Sequence, residues 1–203
     1  MHHTGGPGWR ITTDTSAHLL LALYLHDVAG LDGAGLPAVC GADPPVRKAD
    51  PRQLTSHVGG TRALRQEWEQ WWSLLIAEDQ AAADALVPPA FPAFDASPAL
   101  QKLLQAHFGA AMSWSSERVA DYRQLAEERE ASGKTKLVGQ MVQDREMELG
   151  RDARGFELKL VELPLRERRA WFVEPDKVLL NQYLIDDEGS YRSFIQPIVE
   201  LLV

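Results

Sequence analysis

Two hydrophobic periodicities share this chain without mixing. Up to about residue 150, apolar side chains recur every three or four positions, the spacing of one face of an α-helix. Beyond Gly155 they alternate with polar ones, the spacing of a half-buried strand. Helices segregated in sequence from strands predict an α+β fold rather than alternating α/β units.

In the helical part, Leu19, Leu20, Leu23, Tyr24 and Val28 predict a helix entered at Asp14 or Thr15 and stopped by Gly30. The stretch that follows, LDGAGLPAVCGADPPVRKADP, is rich in Gly, Pro and Asp and predicts a long ordered loop over the core. Leu64, Trp68, Trp71, Trp72, Leu75 and Ile76 then fall on one broad face of a second helix. Ser97 followed by Pro98 starts a further helix that Gly109 should end. Another should run from Ser115 or Ser116 to Gly133, with EEREASGK as its solvated tail, and residues 134–149 fit a helix better than a strand.

Beyond Gly155 the segments FELKLVEL, RAWFV and KVLLNQYLI are joined by short connections, one of them EPDK with Pro175 in a tight turn. They predict a three-stranded antiparallel meander. A last helix should start at Asp186 or Asp187, with Pro197 kinking or restarting it. The expected whole is one fused α+β domain over 1–203, in which a helical N-terminal two-thirds packs with the meander and a C-terminal helix. Within it, residues 1–8 should be a flexible N-terminus, 9–150 mainly helical, and 151–203 the meander plus its closing helix.

The formal net charge is −8, from 29 acidic and 21 basic side chains, which disfavours nucleic acid as a partner. The densest basic cluster, Arg166, Arg168 and Arg169, has Glu162 and Glu167 beside it. One cysteine excludes an intrachain disulfide and suits a reducing compartment. No apolar run approaches the roughly 20 residues of a membrane span. A cytoplasmic location is therefore expected, and the Ala, Leu, Arg and Asp bias points to a GC-rich bacterial genome.

Candidate chemistry is sparse. His18 and His26 lie eight apart on one helix, about 80° and about 12 Å from each other, too far for one metal without further ligands. Asp27 is placed to orient the His26 ring, with His57 or His107 as the further ligand of a mixed His/Asp metal site, and His18, His26, Asp27, His57 or Cys40 are the candidates of a small hydrolase or metal-dependent enzyme around the loop. Trp68, Trp71 and Trp72 read first as a core or dimer-interface face and second as an aromatic platform for a small molecule. Met1, His2 and His3 offer an adventitious square-planar site for copper(II) or nickel(II). The carboxylates Asp144, Glu146, Glu148, Glu157, Glu162 and Glu174 read as solvated faces. There is no GxSxG elbow, phosphate loop or GxGxxG fingerprint, and no cofactor is expected. The leading expectation is a non-catalytic protein acting through protein–protein contact, as a homodimer.

Overall fold

The computed structural model describes residues 2–6, 8–173 and 175–203. The elements run β1 (His2–Gly6), β2 (Trp9–Asp14), α1 (Ala17–Val28), α2 (Arg52–Thr55), α3 (Gly60–Ile76), α4 (Gln80–Asp84), α5 (Pro98–Ser132), α6 (Leu137–Leu149), β3 (Phe156–Leu163), β4 (Ala170–Val173), β5 (Lys177–Asn181) and α7 (Glu188–Leu202). The protein is mixed α and β, as the two periodicities require. Its contacts divide it into two compact units: residues 1–16 with 119–203, and residues 17–118.

The first unit is built on one five-stranded sheet of order β1-β2-β3-β5-β4. This corrects the expected three-stranded antiparallel meander. β3 does not pair with β4; it pairs in parallel with β5 on one side and with β2 on the other. The β4–β5 hairpin is antiparallel, as expected, but it is turned so that β5 lies inside and β4 at the edge. Burial explains the order. All five residues of β5, KVLLN, are buried, the continuous pattern of a strand covered on both faces, whereas every residue of β4 is half-buried. Residue 174 of the connecting turn lies outside the described residues.

The N-terminal strands were the other omission. WRIT is part of β2, which supplies Trp9 and Ile11 to the core. Residues 2–6, where composition predicts a flexible end, form β1 and pair with residues 9–13. A Cβ on Gly6 would sit 2.7 Å from the Trp9 indole nitrogen, so only glycine lets this hairpin close over the ring. Trp9, Ile11, Leu158, Leu160, Val178 and Leu180 share a core with Val138, Met141 and Val142 of α6 and Tyr191, Ile195 and Val199 of α7. Asp187 caps α7 by accepting from the Ser190 amide at 3.2 Å, and Pro197 is accommodated inside the helix.

In the second unit α1 is buried almost all round: Leu19 through Leu23 and Leu25 through Val28 are all withdrawn from solvent. α3 presents Leu64, Trp68, Trp71, Trp72, Leu75 and Ile76 to the interior, the face read from the sequence. The loop after α1 is ordered by backbone bonds such as Ala49 N–H to Val28 O at 2.8 Å. One helix, α5, replaces the expected pair: it runs unbroken through Gly109 and the serines at 113–116. The Ser113 and Ser115 hydroxyls donate to the carbonyls of Gly109 and Ala17, so they cap nothing. Among the described residues no helix is long and apolar enough to cross a membrane.

Candidate functional site

His26 and Asp27, in the last turn of α1, are brought together. His26 Nδ1 lies 2.9 Å from Asp27 Oδ1, and Asp27 Oδ2 accepts the Ala42 amide at 2.9 Å. The loop can approach this closely because residue 41 is glycine: a Cβ there would meet Asp27 Oδ1 at 2.6 Å. The imidazole is fully buried, its centroid 5.0 Å from that of Trp68, and Nε2 has no hydrogen-bond partner. His18, His57 and Cys40 are exposed instead. His107 is half-buried, and burial pulls its pKa down. His2 and His3 occupy adjacent positions of β1, which point to opposite faces, and lie within 3.4 Å of the Thr4 and Thr12 hydroxyls respectively; Met1 lies outside the described residues. Among the described residues no group of three or more His, Cys, Asp or Glu could hold a metal ion.

The tryptophans are chiefly architecture. Trp68 stacks on Trp72 at 5.1 Å and donates its indole N–H to Ala22 O at 3.0 Å. Both rings are wholly buried. Trp71 meets Phe94 edge to face and donates to Ala82 O at 3.2 Å; it borders a groove of about 340 Å³ shared with Leu74 and Phe94. Trp9 packs instead against Phe156 in the sheet unit, and Trp114 against Tyr24.

Two polar constellations that the sequence reading missed stand out. The first is inside the sheet unit. Glu162 of β3 is 2% exposed and accepts from Arg129 Nη1 at 2.8 Å; Arg129 Nη2 donates to Gln182 O. Tyr122 also bonds the carboxylate, and with Tyr191, Thr13, Thr135 and His2 these groups line a small cavity of about 30 Å³. Burial pushes the Glu162 carboxyl up to about 7, outweighing the opposite pull of the Arg129 guanidinium. Burial also raises both tyrosines, reinforced by the Glu162 charge. The signal was present in FELKLVEL: Glu162 is in phase with Phe156, Leu158 and Leu160, so it points where they point. Arg129 sits in the tail expected to be solvated, yet it is 5% exposed.

The second is an open cleft of about 760 Å³ in the other unit, between the loop after α1 and the starts of α2 and α3. Lys48, Arg52, Arg62 and Arg65 line it, with Asp50 as the one acidic side chain. Residues 17–118 carry seven Lys and Arg against eleven Asp and Glu, and four of those seven cations line this cleft. Lys48 is tied to Asp32 at 2.6 Å, Arg52 lies 3.8 Å from Asp50, and Arg65 reaches Glu69 at 3.5 Å and the Asp32 carbonyl at 2.9 Å. All of these pairs are substantially exposed, so each contributes about 0–1 kcal/mol and yields readily to a competing anion. The cleft's volume is within the range of about 300–1,000 Å³ typical of ligand sites.

No family model, curated protein or solved structure matches the chain. Its function therefore rests on these sites alone. Neither the basic cleft nor the Trp71 groove is lined by His18, His26, Asp27, His57 or Cys40.

Proposed function

We propose that this chain is a cytoplasmic, non-catalytic binding protein whose basic cleft takes an acidic segment of a protein partner. The single observation that carries the reading is the charge segregation: a chain of net charge −8 gathers Lys48, Arg52, Arg62 and Arg65 around one open cleft. Charge complementarity of this kind steers encounter and selects partners. A second copy of this acidic chain is one source of such a segment. Two copies that exchange cleft and acidic surface reciprocally form a two-fold homodimer.

The test uses the purified full chain and a fluorescein-labelled hexaglutamate peptide, read by anisotropy, with sedimentation velocity reporting self-association. Arg52→Glu/Arg62→Glu changes two exposed side chains and should leave the fold intact. Wild type should bind the peptide, more weakly as salt rises, and the double variant should bind about tenfold or more weakly, a loss of about 1.4 kcal/mol or more. Equal binding by both proteins, or binding indifferent to salt, would contradict the reading. A dimer abolished by the same substitutions identifies the second copy as the partner.

A second reading draws on the oriented His26 ring: a hydrolase in which Asp27 holds Nδ1 and leaves Nε2 as base. The ring's complete burial weighs against it. Rapid modification of His26 by diethyl pyrocarbonate in the folded protein would favour this reading; protection of His26 while His18 and His57 react supports a structural pair.

A further inference from the structure

β4, of sequence AWFV, is an outer strand of the sheet and pairs only with β5. That pairing fixes where its backbone points. The Asn181 amide donates to Arg169 O at 2.9 Å, so residues 169 and 181 are a hydrogen-bonded pair. Alternation then makes Trp171 with Leu179 and Val173 with Lys177 the next bonded pairs. The N–H and C=O groups of Ala170 and Phe172 therefore point away from β5, and among the described residues no other group bonds them. Natural edge strands are commonly blunted by a charge, a proline or a bulge. β4 has none of these within its regular register. Its central side chain is Trp171, half-buried, whose ring meets no other aromatic ring among the described residues and carries the Arg169 guanidinium 5.7 Å from its centroid. The two ends of the strand differ in charge. Arg166, Arg168 and Arg169 lead into it, and Asp176 lies in the turn beyond it.

We infer that β4 is a homodimerisation edge, on which a second copy of this chain adds its own β4 antiparallel, with the two-fold axis at Trp171. Ala170 of each copy then faces Phe172 of the other, and each of these pairs exchanges two bonds, so the outward groups of both strands satisfy one another. Trp171 faces Trp171 of the second copy as a non-hydrogen-bonded pair, where side chains lie closest and aromatic pairs stabilise a sheet. The same register sets Arg166 of each copy opposite Asp176 of the other, so the basic lead of one strand lies along the acidic turn of its mate. A chain of net charge −8 repels its own copy at long range, and this local complementarity is what favours a second copy at this edge. The edge belongs to the sheet unit and uses none of the residues of the basic cleft.

The test is sedimentation velocity of the full chain at concentrations up to millimolar. Wild type should show a reversible monomer–dimer equilibrium. Ala170→Pro removes one outward N–H per copy and spares every bond to β5, so it should raise the dissociation constant about tenfold or more while the protein stays folded. A wild type that stays monomeric, or an Ala170→Pro dimer as tight as wild type, overturns the inference. A dimer lost in Arg52→Glu/Arg62→Glu also overturns it and places the contact at the cleft; an intact dimer in that variant supports the edge, whatever happens to hexaglutamate binding. If Ala170→Pro fails to fold, charge reversal decides. Arg166→Glu and Asp176→Lys should each weaken the dimer alone and restore it as an equimolar mixture, and a mixture no tighter than its components overturns the inference.

Discussion

Gly41 and Glu162 show how single residues fix what each unit can do. Gly41 has φ +94 and its missing Cβ makes room for the Asp27 carboxylate. Gly41→Ala should therefore destabilise the protein by about 1–3 kcal/mol, the usual cost of a strained backbone position, before any loss of the Asp27 bonds. Urea denaturation measures it, and a loss under about 0.5 kcal/mol would mean that the loop does not close on Asp27 as described. Glu162 sets a pH dependence of definite sign. Its folded pKa, about 7, lies above its ordinary value of 4.5, so the folded state binds more protons between the two. This contribution is fully present below about pH 4.5 and is lost as pH rises through 7. Glu162→Gln should flatten the fall in urea midpoint between pH 5 and pH 8 seen in the wild type; identical profiles would contradict the assignment. The residues of this cavity were only half legible. The phase of Glu162 along β3 marks it as inward, but nothing local marks Arg129, because a long helix hides an inward arginine among outward Glu127, Glu128 and Glu130.

Among the elements, the helical spacing read from the sequence corresponds to α1, α3, α6 and α7. Periodicity carries over long amphipathic segments because burial of one face dominates local preference. α5 was misread because Gly109 and three serines resemble a stop and a new cap. Packing by Leu100, Leu103, Leu104, Ala111 and Tyr122 holds the helix through them. Gly109 is exposed with open space around its missing Cβ. Gly109→Ala should thus stabilise the protein by about 0.5–1 kcal/mol, the propensity difference in a helix interior. If a helix ended at Gly109 in the left-handed conformation, the same change would destabilise; thermal unfolding distinguishes the two signs. The tryptophan face of α3 contributes more to stability. Trp71→Ala should cost about 3–5 kcal/mol, as buried aromatic truncations do, and a loss under about 1 kcal/mol would refute its burial.

Across the chain as a whole, sequence order and spatial order part company. Residues 2–14 and 156–181 are separated by the whole second unit yet form one sheet, and β5 lies between strands that precede it in sequence. Strand type was legible from alternation; strand order was not, because pairing depends on which strand is buried on both faces. The uninterrupted VLL of β5 was the clue to a central position, and the brevity of WRIT concealed β2. The cleft was not legible, since Arg47, Lys48, Arg52, Arg62 and Arg65 are spread over residues 47–65 and only the fold brings four of them around one opening. The proposed function stands or falls on that convergence, and amide chemical-shift mapping of the full chain with hexaglutamate peptide probes it residue by residue. Saturable shifts centred on residues 29–31, 48–52 and 61–65 are predicted. Shifts centred elsewhere, or none at millimolar peptide and low salt, would contradict it.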